Sequence, residues 1–279
     1  MAILPIDGGR YGTKEMLAVF HDQKKIDYQL QIEGAAAVSQ GEMGLIPRSA
    51  AQNIFAAAKS GKITAKRIKQ LEAKSDHDTA ALVEALSEKC KPDARPWVHY
   101  GLTSNDLVDT STSMQVRDAF AIMQPKTARL AILLAKKAIQ YKDVPAVGRT
   151  HGQHASIISF GLKFANWAAE MAKHVERIEE LKKRVLICKT LGVVGTGSLM
   201  GAKAVEVQKR VARDWVCFMP RSQHRSYHEK DTQNTFYSLR YLGAHLKKSQ
   251  LRLEICSERK SVKWQSTLRR ARWEVVPLQ

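Results

Sequence analysis

Two short polar segments of the chain combine the residue types that proton transfer and anion binding require. The first polar segment spans residues 99–106 and reads HYGLTSND, and the second spans residues 148–153 and reads GRTHGQ. Histidine gains and loses a proton near neutral pH, so it can act there as a general acid or base. Hydroxyl and amide groups beside it can hold an anionic substrate through hydrogen bonds. Both segments are therefore candidate parts of an active site.

His151 is the candidate proton carrier of the second polar segment. Arg149, Thr150 and Gln153 surround it, and Gly152 permits a ligand to approach the backbone closely. An isolated histidine is more often structural, but these neighbours favour a catalytic role.

His77 lies between two carboxylates, those of Asp76 and Asp78, and it permits two interpretations. In one, the segment only begins a helix, with Ser75 or Asp76 as the N-cap. In the other, the flanking carboxylates raise the basicity of the His77 ring, which then takes part in chemistry. The residues alone do not decide between the two.

Further candidate anion-binding groups stand at a predicted helix start and in a loop. Thr103 and Ser104 precede a long helical pattern, where they either cap the helix or bind an anion at its positive end. Arg10 and Tyr11 lie in a glycine-flanked loop near the start of the chain. Such a pair can clamp a phosphate and stack on a base, although surface Arg-Tyr pairs are common.

The elements that position these groups are predicted to be helices. Helices are expected over residues 15–33, 49–59, 64–74, 77–89 and 110–141. Ser49 and Thr64 are the predicted caps of the second and third. Pro125 is expected to kink or divide the last one. No β-hairpin or βαβ pattern competes with this interpretation, so we predict an all-α fold.

The longest periodic run follows the second polar segment. Apolar side chains recur every three or four residues at Phe160, Phe164, Trp167, Met171, Val175, Ile178, Leu181, Val185 and Cys188. Such a stripe predicts a helix of about 30 residues that packs in a long bundle and in subunit contacts. We divide the chain into an N-terminal helical domain (1–92), a central long-helix bundle domain (93–212) and a divergent tail (213–279).

A glycine-rich segment, residues 192–198 (GVVGTGS), interrupts the helical pattern after this run. Its glycines suggest a phosphate loop, but it follows a helix and lacks the Lys-Ser/Thr pair of a P-loop. We interpret it as a flexible bend between helices.

Composition and charge limit the class of protein. The formal net charge is +18 and the sequence pI is about 9.8. The basic residues are spread along helices, which favours a small anionic substrate over nucleic acid. No apolar run reaches the ~18 residues that span a bilayer, and the start lacks an export signal, so we expect a cytoplasmic protein without membrane contact. Four widely separated cysteines argue against a disulfide framework and against a zinc site.

Taken in order, five segments resemble the adenylosuccinate lyases of the aspartase/fumarase superfamily: residues 9–12 (GRYG), 76–78 (DHD), 99–106, 148–153 and 192–196 (GVVGT). The Thr-Ser-Asn-Asp form favours this branch over fumarases and argininosuccinate lyases. The resemblance implies a β-elimination without cofactor or metal that splits adenylosuccinate into AMP and fumarate. It implies the same cleavage of SAICAR, the related imidazole-carboxamide ribotide succinate, into AICAR. It also implies a tetramer whose sites are each assembled from several subunits around a core of long helices.

The resemblance also implies roles for individual residues. His151 corresponds to the general acid, and His77 assists at the substrate. The implied substrate-binding residues are Arg10, Tyr11, Asp76, Asp78, His99, Thr103, Ser104, Asn105 and Gln153. Among these, Thr103 and Ser104 hold the succinyl carboxylates, and Arg10 and Tyr11 hold the nucleotide.

The tail departs from the resemblance. The catalytic base of the family is a serine on a loop of the form GSSxMPxKxNP, which is absent here, and from about Arg213 the sequence no longer matches. With a suitable choice of degenerate codons, re-reading them one base earlier can yield family-like segments at three places in the right order. We therefore hypothesise a frameshift after about residue 212 and a missing C-terminal domain. We expect poor cover for the apolar stripe and weak or no activity of this chain alone.

Two alternatives stay open. The chain is a non-catalytic helical fragment that oligomerises or binds nucleotides, or it derives from another fumarate-releasing lyase of the superfamily.

Overall fold

The computed structural model describes residues 12–214 and 242–246. Arg10, Tyr11 and most of the divergent tail lie outside these residues. No helix in the two described ranges is long and apolar enough to cross a membrane.

The chain divides into two compact units. The described part of the first unit comprises residues 12–122 and 180–214, and that of the second comprises residues 123–179 and 242–246. The first polar segment therefore belongs to the same unit as the N-terminal helices. The domain limits at residues 92 and 212 stay a prediction.

Helices dominate the described residues, as predicted. They are α1 (Lys14–Val19), α2 (Asp22–Glu42), α3 (Arg48–Lys59), α4 (Ala65–Ser75), α5 (Asp78–Ser87), α6 (Ser104–Gln140), α7 (Gly161–Val185) and α8 (Ala204–Asp214), with short 3₁₀ turns at Arg95–Trp97 and Gly201–Lys203. The two strands are β1 (Pro145–Thr150) and β2 (Gln153–Ser159). The pattern predicted over residues 15–33 is thus divided into α1 and α2, and α2 continues to Glu42.

The N-caps explain where two of these helices begin. The hydroxyl of Thr64 accepts the backbone N–H of Arg67 at 3.3 Å, which confirms the predicted cap of α4. Ser49 is not the cap of α3, because Pro47 occupies the N-cap position and the helix begins at Arg48.

α6 is a helix of 37 residues that begins at Ser104, earlier than the predicted start at Thr110, and contains Pro125 in its interior. Pro125 therefore does not divide the helix, although a proline removes one backbone hydrogen bond. This start agrees with the alternative that places a cap at Thr103 or Ser104, whereas the helical pattern alone begins later because Ser, Asn and Asp residues usually precede helices.

The core of the first unit fixes the start of α6. Leu107 and Met114 of α6 are fully buried together with side chains from the N-terminal helices, among them Tyr28, Ile32, Ile54, Leu71, Leu82 and Leu86. Removing a buried Leu or Met side chain costs about 2–5 kcal/mol of the free energy of unfolding. The residues that follow the first polar segment are therefore anchored firmly.

β1 and β2 form an antiparallel hairpin, and the prediction that no hairpin competes with the helices is wrong. Thr150 pairs with Gln153, so His151 and Gly152 form its two-residue turn. Their φ angles are both positive, 50° and 76°, as a type I′ turn requires. The sequence hides this hairpin because the turn carries His-Gly in place of Asn-Gly, and because the apolar pattern of α7 continues backwards into β2.

The apolar stripe of α7 is core, as predicted. Eight of its nine side chains are at most 4% exposed: Phe160, Phe164, Trp167, Met171, Ile178, Leu181, Val185 and Cys188. The ninth, Val175, is half-buried. Tyr141, Val144 and Ile158 pack against its aromatic end. The expectation of poor cover is therefore wrong, and at the aromatic end α6, the hairpin and the segment between them supply the apolar partners.

Candidate active site

The carboxylate of Asp106 caps the start of α6. The backbone N–H of Thr103 donates to Oδ2 of Asp106 at 3.1 Å, and the N–H of Asp106 donates to the carbonyl oxygen of Thr103 at 2.9 Å. Asp106 follows the N-cap position by three residues, so this is the carboxylate half of a capping box. The cap consequently does not use the hydroxyl of Thr103.

Three adjacent polar side chains at the start of α6 are available to hydrogen-bond a ligand. Thr103, Ser104 and Asn105 are half-buried, and their side chains make no hydrogen bond with any residue that the structure describes. The first turn of a helix also has backbone N–H groups without helical partners and a partial positive charge. Hydroxyl, amide and backbone donors thus stand together at a position that favours an anion.

His99 is held in an unusual conformation by a buried carboxylate of α2. Its φ of 61° is left-handed, its backbone N–H donates to Oε2 of Glu33 at 3.2 Å, and its Nδ1 lies 2.5 Å from Oε1 of the same residue. Burial opposes the charged imidazole, but the hydrogen bond and the charge of Glu33 outweigh it, so the pKa of His99 is raised. One carboxylate therefore fixes both the backbone and the ring of His99.

Asp106 also joins the first polar segment to the glycine-rich segment. Its Oδ2 accepts the backbone N–H of Gly192 at 2.8 Å. The residue is fully buried, and Oδ1 has no hydrogen-bond partner among the described residues. Burial raises the pKa of Asp106 to about 6, although the hydrogen bonds from Gly192 and Thr103 and the nearby charge of Lys189 oppose this rise.

A row of short polar side chains on α6 binds the chain that follows α7. We call it the α6 polar row: Asp106, Thr110 and Ser113. The hydroxyl of Thr110 donates to the carbonyl oxygen of Lys189 and accepts the N–H of the same residue, both at 3.0 Å. This side chain therefore satisfies buried backbone groups of the segment that follows α7.

Ser113 repeats this arrangement one turn later. Its hydroxyl donates to the carbonyl oxygen of Val185 at 3.0 Å and accepts the N–H of Ile187 at 3.3 Å. Nζ of Lys189 adds an ion pair with Asp109 at 3.3 Å. Sequence reasoning missed the row, because acidic residues in a first helical turn are usually explained by the helix dipole. The helical spacing of 106, 110 and 113 was the available signal.

The second polar segment lies in the other unit and is exposed. His151 and Gly152 form the hairpin turn, and Gln153 and His154 begin β2, with all four exposed. A guanidinium nitrogen of Arg149 lies 3.3 Å from Nε2 of His154. The imidazole of His151 is thus available to a ligand, and it is not buried among apolar side chains.

His77 is itself the N-cap of α5, so the prediction of Ser75 or Asp76 at that position is wrong. Nδ1 of His77 accepts the backbone N–H of Ala80 at 3.2 Å. Asp76 instead ends α4 in a left-handed conformation with φ of 51°, and a carboxylate oxygen of Asp78 lies 3.7 Å from Nδ1 of His77. Both side chains of the His77–Asp78 pair are more than half exposed.

The predicted site residues are divided between the two compact units. The first unit contains His99, Thr103, Ser104 and Asn105 on one continuous segment, and it contains the His77 group at the junction of α4 and α5. The second unit contains His151 and Gln153. Among the described residues, no group of three His, Cys, Asp or Glu side chains is placed to hold a metal ion.

Comparisons with known sequences agree with this architecture. A family model described as Lyase matches residues 9–238. The adenylosuccinate lyase of Methanocaldococcus jannaschii is 43% identical over 212 residues, which cover 76% of this chain and 46% of that protein. The adenylosuccinate lyase of Pyrococcus abyssi is 39% identical, with 77% and 47% covered. An N-acetyl-S-(2-succino)cysteine lyase of Enterococcus italicus is 39% identical, with 72% and 44% covered. The chain spans about half the length of the curated relatives it matches.

Solved structures share the helical fold. A fumarate lyase from Mesorhizobium sp. BNC1 has a TM-score of 0.82 and 30% identity, and the match covers 89% of this chain and 59% of that one. A 3-carboxy-cis,cis-muconate lactonizing enzyme from Pseudomonas putida has a TM-score of 0.84 and 26% identity, with 92% and 58% covered. In sequence and in fold, this chain belongs to the lyase family of the aspartase/fumarase superfamily, as its resemblance to the adenylosuccinate lyases predicts.

Proposed function

We propose that this chain carries the site of a purine-biosynthesis lyase, which eliminates fumarate from adenylosuccinate to give AMP and from SAICAR to give AICAR. The observation that carries the proposal is the group of unused donors at the start of α6: Thr103, Ser104 and Asn105. A succinyl group presents two carboxylates, and hydroxyl and amide donors at a positive helix end suit a carboxylate. Curated relatives of 37–43% identity that bear the name adenylosuccinate lyase support a purine nucleotide as the leaving group.

The elimination needs one proton removed and one delivered. A base takes a proton from the succinyl carbon beside a carboxylate, the new C=C bond forms, and the C–N bond to the purine breaks. The departing nitrogen keeps the bonding electron pair and receives a proton from His151. Exposure of His151 at the hairpin turn supports this role, because a substrate beside the hairpin can reach its ring.

Further predicted residues have supporting roles in this proposal. His77 assists at the substrate with the ring nitrogen that α5 does not use. Asp76, Asp78, His99 and Gln153 contribute to substrate binding. No cofactor enters any step.

The 279 residues lack the serine-bearing signature, so we expect this chain alone to turn over slowly. We also expect a cytoplasmic homotetramer. Exposed apolar side chains in the second unit support subunit contacts. Val147 and Ile157, which pair across the hairpin, are 40% and 83% exposed, and Ile139 of α6 is 69% exposed.

A second candidate is cleavage of N-acetyl-S-(2-succino)cysteine, the substrate that names two curated relatives of 39% and 34% identity. That substrate shares the succinyl group and differs in its leaving atom, which is sulfur and not nitrogen. The α6 donors would serve both substrates, so the leaving group must be tested directly. A non-catalytic nucleotide-binding fragment is the third outcome.

The test combines turnover and binding with the purified chain. We expect slow fumarate release from adenylosuccinate, little from N-acetyl-S-(2-succino)cysteine, and calorimetric binding of fumarate that Thr103→Val weakens about tenfold, equivalent to one charge-assisted hydrogen bond. Thr112→Val is the matched control, because the Thr112 hydroxyl already donates to the carbonyl oxygen of Val108 within α6 at 2.8 Å. Faster cleavage of the sulfur compound, or equal effects of the two variants, would contradict the proposal.

A further inference from the structure

We infer that Asp106 is a positioning residue: its carboxylate ties the backbone of Thr103 to that of Gly192, so that the donors at the start of α6 and the glycine-rich segment form one fixed wall of the site. The tie itself is a property of the fold. Its role toward a ligand rests on the proposed function.

The geometry of the tie is that of a single shared acceptor. Oδ2 of Asp106 receives two backbone N–H groups, from Thr103 at 3.1 Å and from Gly192 at 2.8 Å. The two donors are far apart in the chain, and Asp106 is completely buried. Loss of the shared acceptor would leave two part-buried N–H groups without a partner at once, which is more disruptive than loss of one ordinary hydrogen bond.

The backbones on either side of the tie are already in close contact. Gly192 has a φ of 79°, and a Cβ placed there would lie 3.1 Å from the carbonyl oxygen of Gly101. Gly101 has a φ of 71°, and a Cβ placed there would lie 3.0 Å from the side chain of Met200. Tyr100 adds a hydrogen bond from its hydroxyl to the carbonyl oxygen of Leu199 at 3.3 Å. The glycine-rich segment is therefore packed onto the first polar segment.

A comparison of two substitutions of Asp106 can separate its positioning role from a general effect on stability. Oδ1 has no partner among the described residues, so both bonds of the tie depend on one oxygen. Asparagine keeps such an oxygen, whereas alanine removes it. The conservative variant should therefore preserve the tie even though it removes the charge.

Amide hydrogen exchange measures the tie without any substrate. In the purified chain, Asp106→Ala should speed exchange at the amides of Thr103 and Gly192 at least about tenfold, while Asp106→Asn should stay within about threefold of the parent. Ser113→Ala is the matched control, since it removes another member of the α6 polar row and should speed exchange at Ile187 alone. If Asp106→Ala does not fold, Asp106→Ser replaces it, because a serine hydroxyl is too short to reach both amides.

Fumarate binding to the same variants then connects the tie to the site. We expect Asp106→Ala to weaken fumarate at least about tenfold, and Asp106→Asn to restore most of the affinity. Unchanged exchange at Thr103 and Gly192 in Asp106→Ala would overturn the inference, as would faster exchange spread evenly over the whole first unit. If the parent chain does not bind fumarate, the proposed function fails, while the exchange data still decide whether Asp106 ties the two segments.

Discussion

The two polar segments carry similar residue types but are built in opposite ways. The first is fixed by two buried carboxylates, Glu33 and Asp106, which bond the backbone of the segment itself. The second is the turn of an exposed hairpin, and its conformation depends on the left-handed backbone of His151 and Gly152. Substitutions in the first segment should therefore change stability and binding together, whereas substitutions in the second should change chemistry with little effect on stability.

The largest effect that separates the two segments is expected at His151. His151→Gln should abolish the slow fumarate release of the parent chain, since loss of a general acid lowers a rate by about 10²–10⁴-fold, with little change in the free energy of unfolding because the ring is exposed. His154→Gln is the matched control in the same hairpin. Rates are measured by single turnover at high protein concentration. Equal rates for the two variants would remove His151 from the mechanism.

Substitution of Glu33, which holds the first polar segment, should instead lower stability. Glu33→Ala leaves the backbone N–H of His99 and its imidazole without their partner, so the free energy of unfolding should fall by about 3 kcal/mol at pH 6. Glu88→Ala, which breaks the exposed pair with Arg67, should cost less than about 1 kcal/mol. Urea denaturation measures both. Similar losses in the two variants would contradict a special role for Glu33.

The pH dependence of stability sharpens the comparison further. Burial raises the pKa of Asp106 from 3.8 to about 6, so its contribution to stability is present below about pH 4 and is lost as the pH rises through 6. The loss amounts to about 3 kcal/mol at 1.36 kcal/mol per pKa unit. Asp106→Asn should abolish this slope in urea denaturation.

The effect of Asp106 is the difference in free energy of unfolding between the parent and Asp106→Asn at each pH, because other groups also titrate. Burial and the charge of Arg177 lower the pKa of His174 in the second unit to about 4. The contribution of His174 is therefore present above about pH 6.5 and is lost as the pH falls toward 4, which is the opposite direction. An identical pH slope in the parent and in Asp106→Asn would show that Asp106 is not the group that titrates.

The smallest effect is expected at the hairpin turn. Gly152 has a φ of 76°, and nothing lies within 4 Å of a Cβ placed there, so Gly152→Ala should cost about 1 kcal/mol through backbone strain alone. Gly44→Ala is the control at a similar φ of 69° with equally open surroundings, in the first unit. Hydrogen exchange across β1 and β2 should reveal a local loss for Gly152→Ala only. If Gly152→Ala also changed hydrogen exchange in the first unit, its effect would not be confined to the hairpin.

Sequence reasoning was sufficient where one local pattern decides the structure. The Thr64 cap and the stripe of α7 follow from residue type and spacing alone, and both are confirmed. Local patterns are insufficient where a contact between distant parts of the chain determines the conformation. The α6 polar row is recognisable only when the chain after α7 lies beside it, and the left-handed φ of His99 depends on Glu33. The segment 192–198 is a turn between helices, as predicted, but the bond from its first glycine to Asp106 is another long-range contact that the local pattern does not indicate.

The N-cap made by His77 links helix formation to the choice of tautomer. Because Nδ1 accepts the N–H of Ala80, the neutral ring must carry its proton on Nε2, and a second proton on Nδ1 would break that bond. While α5 keeps its cap, Nε2 can donate a hydrogen bond to a ligand, but the ring can take up no proton because its only lone pair is engaged at Nδ1. Each protonation of the ring at Nδ1 would loosen the first turn of the helix, so at this position a change of charge is also a change of local backbone structure.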